Sequence, residues 1–136
     1  MSENIIQVAA GLVFHEGTLL ITQRRLHDHL GGLWEFPGGK LEPGESFSEC
    51  LVRELREELA IEVRMLQEIE DITHAYPEKT VRLKFFACEL TDGVAKPIHC
   101  HALAWITRDE LEKYEFPAAD AKLLETLREQ SALWEI

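Results

Sequence analysis

The stretch RELREEL, Arg53 to Leu59, sets three carboxylates, Glu54, Glu57 and Glu58, almost side by side. Wound into a helix, they occupy positions i, i+3 and i+4 and crowd one side. Like charges at that spacing cost about a few tenths of a kcal/mol per pair, and a cation held between them would reverse the sign. The alternative is a solvated acidic face partly neutralised by Arg53 and Arg56. The flanking residues argue for a real helix. Ser46 followed by Glu49 reads as a capping box, and the segment runs from there to about Leu59. Its apolar stripe is Phe47, Leu51, Val52, Leu55 and Leu59, which faces a core. The three glutamates lie roughly a quarter turn from that stripe, where a helix borders a cleft.

Working outward, the chain has 136 residues, 46% hydrophobic and 29% charged, which suits one domain, 1–136, with one sizeable core. No apolar run approaches a membrane span and no leader opens the chain, so a soluble cytoplasmic protein is expected. Cys50, Cys88 and Cys100 are odd in number and form no C-x-x-C pair, which predicts free thiols rather than a disulfide or structural zinc. A net charge of −11 argues against a nucleic acid polymer as partner. A small phosphorylated ligand stays open, because a divalent ion can bridge carboxylates to phosphates.

Ile5 to Arg24 reads as a hairpin turning at Gly17. LWEF is a short strand before a Pro-Gly-Gly break. IEVRMLQEIEDI, TVRLKFFACEL and CHALAWIT read as strands, the last two separated by a Thr-Asp-Gly turn. Thr107 and Glu110 cap a short helix, RDELEKY, and a last helix carries Leu123, Leu124 and Leu127. The fold class is α+β, a mixed sheet core sandwiched between helices.

Gly38 to Ile61, GGKLEPGESFSECLVRELREELAI, resembles the Nudix box, G-x5-E-x7-R-E-U-x-E-E-x-G-U, with U a bulky aliphatic residue. Gly39, Glu45, Arg53, Glu54, Leu55, Glu57, Glu58 and Ile61 fall in register, and Ala60 alone departs, standing where the family has glycine. A non-glycine residue in the left-handed conformation common at that helix end costs roughly 1 kcal/mol or more. Either the helix ends differently or the strain is tolerated. The two glycines, Gly38 and Gly39, would let backbone approach a ligand, with the Gly38 carbonyl available to a metal. Glu54, Glu57 and Glu58 would form an oxygen-rich site for Mg²⁺, or Mn²⁺. Arg53 would orient Glu54 or hold Glu45, while also serving as a helix partner of Glu49 and Glu57.

TQRR, LWEFPGGKLE, ALAWIT and FPAAD extend the resemblance to the MutT-like nucleoside triphosphate pyrophosphohydrolases. It implies the Nudix fold, hydrolysis of a (d)NTP such as 8-oxo-dGTP to monophosphate and pyrophosphate in nucleotide-pool sanitation and DNA repair, or alternatively of CTP or dCTP. By position it implies a substrate role for Arg24, Glu35, Lys40 and Asp120, with surface charge or helix-start charge as the plain alternatives. Ionised, Asp120 accepts from a base amino group, and protonated it also donates. Phe36 and Tyr76 stack on a base or pack in the core. Where the resemblance expects a loop glutamate, six residues before Trp105, this chain has His99. With His101 it would share one face of a strand, as metal ligand or base, as bystander, or in a histidine-only zinc site. A non-catalytic binding module is the reading from another class, opposed by the intact box glutamates. ADP-ribose or dinucleoside polyphosphate hydrolysis has no added motif behind it. A monomer is the expected state, with a dimer as the alternative.

Overall fold

In the computed structural model, which describes residues 5–136, seven strands form one mixed sheet. Strands β1 (Ile5–His15) and β2 (Thr18–Gln23) form the expected hairpin, paired antiparallel at Phe14 and Leu19. Strand β6 (Thr80–Asp92) runs parallel to β1 along its whole length, from Ile5 beside Thr80 to Phe14 beside Glu89. Outside it lies β5 (Glu62–Ala75), antiparallel and interrupted by three register shifts. On the other flank β2 carries β3 (Trp34–Glu35) and β7 (Ala102–Ile106).

Burial follows the two-residue period of a strand. Ala10, Leu12 and Phe14 of β1 face one side, against Leu123, Leu127 and Trp134. Ala9 and Val13 face the other, against Leu51, Leu55 and Leu59. Helix α1 (Phe47–Leu59) therefore covers one face of the sheet. Helix α2 (Ala121–Glu129), with short 3₁₀ turns at Arg108–Lys113, Ala118–Asp120 and Ser131–Glu135, covers the opposite face. The expected layering of sheet between helices is present.

Four local expectations need correction. The Pro-Gly-Gly segment does not end strand structure: Gly38–Lys40 forms β4, which pairs with Val8, Ala9 and Ala10 of β1. A Cβ on Gly38 would lie 2.0 Å from the Ala9 carbonyl oxygen, so strand packing itself requires glycine there. Thr-Asp-Gly does not join a hairpin: after Asp92 the chain runs irregularly to β7, which pairs with β2 and not with β6. His99 and His101 lie on that irregular segment and not on a strand, so they share no strand face. RDELEKY is the expected short capped helix, wound as 3₁₀ over Arg108–Lys113; the Glu110 carboxylate accepts from the Thr107 amide at 2.8 Å. Within α1 the buried stripe includes Cys50, while Val52 is only half-buried.

Candidate active site

Helix α1 is fixed at both ends. Ser46 Oγ accepts from the Glu49 amide and the Glu49 carboxylate accepts from the Ser46 amide, both at 3.0 Å. At the far end Ala60 adopts the left-handed conformation, φ 58° and ψ 36°, and donates to the Arg56 carbonyl at 3.1 Å. The helix thus closes as a glycine-capped helix would, and the strain is tolerated. With the ends set, the azimuths of Arg53, Glu54, Glu57 and Glu58 are set too.

Arg53 does both jobs expected of it. Its Nε and Nη2 grip Glu45 at 2.7 and 2.9 Å, a two-point pair that holds the Glu45 carboxyl down at about 2. Its Nη1 donates to Glu54 at 3.0 Å and to Glu57 at 3.3 Å. Glu49 is not a partner, because its carboxylate is used in the cap. Against this cluster lies Gly39, where a Cβ would stand 2.3 Å from the Glu54 carboxyl carbon. Glycine at that position lets the carboxylate rest on the backbone of β4. The need for glycine arises from Glu54 rather than from a ligand. Leu55 and Ile61, the aliphatic members of the motif, are buried in the core.

Glu58 behaves differently. It lines a cleft of about 440 Å³, and among the described residues no Lys, Arg or His forms an ion pair with it. Burial raises its carboxyl to about 8, helped by a hydrogen bond and charge from Glu54 and by the charges of Glu35 and Glu57. Such a crowded carboxylate pair, with only Glu54 held by an arginine, is chemically suited to a hard divalent cation. Among the described residues no three His, Cys, Asp or Glu side chains converge as a closed metal cage. Magnesium does not require one: it keeps several waters and typically takes one or two carboxylates together with ligand phosphates. The residues present fit that mode, with Glu58 and the Gly38 carbonyl available as donors and Glu54 beside them. Glu57 is more than half exposed and turned to Arg53.

The rest of the cleft is brought together from distant parts of the chain. Gly38, Gly39 and Lys40 form one wall. Arg24 and Glu35 line it as an ion pair, with Arg24 Nη1 3.1 Å from both carboxylate oxygens and Nε donating to the His29 carbonyl at 2.6 Å. The Glu35 carboxyl is nevertheless raised, because burial outweighs Arg24. At the other end stands Asp120, only 6% exposed, raised to about 7 by burial and by the charge of Glu35. It does stand at the N-terminus of α2, as the helix-start alternative has it, but its side chain makes no cap hydrogen bond there and lines the cleft. Tyr76 shares that end, within the field of Asp120, with its ring edge-on to His74 at 4.5 Å. Phe36 takes the packing alternative: buried, it stacks on Phe116 at 5.2 Å and meets Phe85 edge-on, contributing to the cleft wall from the core. His99 reaches the cleft rim, where its Nδ1 lies 3.3 Å from Arg25.

Several cleft residues escaped the sequence reading, chiefly Arg25, Asp28, Lys79 and Cys100. Only the alternation of Thr22 on β2 with Arg24 just beyond its end could have flagged one wall. Together Arg24, Arg25, Lys40 and Lys79 set four cations in the cleft against Asp28, Glu35, Glu58 and Asp120. The chain carries −11, yet the cleft is balanced, and it becomes positive when Glu58 and Asp120 hold protons. Polyphosphate can enter such a cleft.

Comparison with known proteins agrees with this geometry. A family model described as the NUDIX domain matches residues 9–126. An 8-oxo-dGTP diphosphatase of Proteus vulgaris is 39% identical over 87 residues, 63% of this chain and 78% of its own. A CTP pyrophosphohydrolase of Escherichia coli K12 is 35% identical over 121 residues, 89% of this chain and 90% of its own. The solution structure of the E. coli ORF135 protein matches with a TM-score of 0.77 at 35% identity, covering 91% of this chain and 89% of that one.

Proposed function

Since the chain belongs to the Nudix family, we propose that it is an Mg²⁺-dependent pyrophosphohydrolase of a modified or non-canonical nucleoside triphosphate, acting in the cytoplasm as a single, monomeric domain spanning 1–136. The observation that carries this reading is the Glu54–Glu58 pair beside the Gly38–Gly39 wall, one member clamped by Arg53 and the other uncompensated in the cleft.

The chain's own groups divide the work. Glu54, aimed by Arg53, accepts a proton from the attacking water as general base. Oxygen then adds to the β phosphorus, and the bond from that phosphorus to the bridging oxygen of the α phosphate breaks. The bridging oxygen leaves with the nucleoside monophosphate, and the attacked phosphorus departs in pyrophosphate. Glu58 and the Gly38 carbonyl would hold the divalent ion, with Glu57 at the margin. When bound, that ion supplies neutralisation of phosphate charge and acidification of water. Lys40 supplies charge on the phosphate side and His99 borders it.

At the opposite end Asp120 and Tyr76 face the base. An Asp near pH 7 populates both protonation states. Ionised, it accepts from the amino group of cytosine; protonated, it donates to an oxidised purine. This is why 8-oxo-dGTP and CTP stand as the two substrate readings, in line with the relatives' activities. A binding-only module is disfavoured by the retention of Glu45, Glu54, Glu57 and Glu58. Among the described residues no helix is long and apolar enough to cross a membrane.

The test is a turnover panel with Mg²⁺ over 8-oxo-dGTP, dGTP, CTP, dCTP, 5-methyl-dCTP and ADP-ribose, scored for pyrophosphate. Monophosphate and pyrophosphate from 8-oxo-dGTP or CTP are expected. Turnover of ADP-ribose alone, or of nothing in the panel, would overturn the reading.

A further inference from the structure

Arg24 and Arg25 are neighbours in sequence with opposite commitments. Arg24 is paired, its Nη1 with Glu35 and its Nε with the His29 carbonyl. Arg25 also lines the cleft, yet among the described residues no carboxylate pairs with it; its contact is Nη2 to His99 Nδ1 at 3.3 Å. Arginine only donates, so Nδ1 accepts and the imidazole proton sits on Nε2. Among the described residues, Nε and Nη1 of Arg25 have no protein acceptor.

Both partners are held by their backbones. The Arg25 carbonyl accepts from the Asp28 amide at 3.1 Å, within a tight turn. His99 sits between two anchors: Ile98 donates to the Glu58 carbonyl at 3.2 Å, and His101 donates to the Gln23 carbonyl at 2.9 Å. One anchor ties the segment to the end of α1 and the other to the end of β2. A hydrogen bond between two exposed side chains adds little to stability. What this one supplies is direction, because it holds a guanidinium over the rim of the cleft.

The location selects the part of the ligand. The contact with His99, whose neighbour Ile98 bonds to the Glu58 carbonyl, sets the guanidinium near the C-terminal end of α1, on the side of the cleft where Glu58 stands. From these placements we infer that Arg25, aimed by His99, grips the terminal phosphoryl oxygens of the substrate and selects triphosphates over shorter phosphates. The inference rests on the nucleotide reading above. His99 is then a positioning residue, acting through Arg25.

The experiment combines kinetics and binding in the full-length chain. KM and kcat are measured for 8-oxo-dGTP and CTP, and Kd by calorimetry for inorganic triphosphate, CMP and 8-oxo-dGMP, all with Mg²⁺. Arg25→Ala is expected to raise KM and the triphosphate Kd about tenfold, the scale of one charge-assisted hydrogen bond in a partly exposed site, with kcat and monophosphate Kd nearly unchanged. His99→Leu should follow in the same direction to a smaller extent. His99→Asn, which restores an acceptor near the position of Nδ1, should recover the wild-type values. Unchanged triphosphate affinity in Arg25→Ala, equal weakening of the monophosphates, or a wild type that takes up no inorganic triphosphate each overturns the inference. Absent turnover by the wild type would instead remove the nucleotide reading, while the triphosphate titration still reports on Arg25.

Discussion

The two flanks of one short helix treat the same side chain in opposite ways. Toward its start, Arg53 gathers Glu45, Glu54 and Glu57, and Glu45 titrates near 2. Toward its end, Glu58 stands in the cleft without an ion pair among the described residues, pushed up to about 8 by burial and by the charges of Glu54, Glu35 and Glu57. Burial alone does not separate them, since Glu45 is also largely covered. The difference is the guanidinium. A carboxylate that has a fixed cation serves as framework; one that lacks it is left seeking a cation or a proton, which is the condition chemistry needs.

Removing the guanidinium breaks the contrast most severely. Arg53→Ala should free Glu45 and Glu54 together, lowering turnover by roughly 10- to 100-fold, as loss of an orienting partner usually does. Carboxyl NMR should show Glu45 climbing from about 2 toward its ordinary value. A Glu45 that stays low would mean that something other than Arg53 holds it.

Asp120 sharpens the comparison from the far end of the cleft. Its pKa rises from 3.8 in the unfolded chain to about 7, so the folded state holds the proton more tightly. The stabilisation it confers is complete below about pH 4 and is lost as pH climbs through 7. Asp120→Asn, unable to ionise, should therefore exceed wild type in stability above pH 7, by on the order of 1–3 kcal/mol, and match it near pH 4. Urea unfolding at the two pH values reads the difference, and equal offsets at both would refute it.

The smallest effect belongs to the helix end that aims Glu58. Ala60→Gly relieves a left-handed alanine at the cost of a more flexible unfolded chain, a net gain of about 0.5–1 kcal/mol with unchanged turnover. A loss of stability would show that Ala60 is unstrained.

The helix and its charge pattern were legible because every determinant is local: Ser46 with Glu49, the apolar stripe, and Arg53 four residues before Glu57. The layered fold was legible from alternation in β1 and β6. The cleft was not, because its walls meet across the sheet. Lys79, Arg25 and Cys100 carry no local mark of facing Glu58. His99 was misread for a physical reason. HCHALAW alternates like a strand, but the backbone before Ala102 spends its hydrogen bonds on Glu58 and Gln23 rather than on a ladder. The Gly38–Gly39 pair was read as making room for a ligand; the atoms it makes room for are the Ala9 carbonyl and the Glu54 carboxylate.

Glu54 joins the two flanks, held by Arg53 on one side and raising the Glu58 carboxyl by its charge on the other. Turnover of 8-oxo-dGTP and CTP by Glu54→Gln, with folding checked by circular dichroism, therefore tests the account where it is most exposed. A folded protein whose pyrophosphate release has dropped by about a hundredfold or more is the predicted result. A folded variant that still releases pyrophosphate at close to the wild-type rate would contradict it.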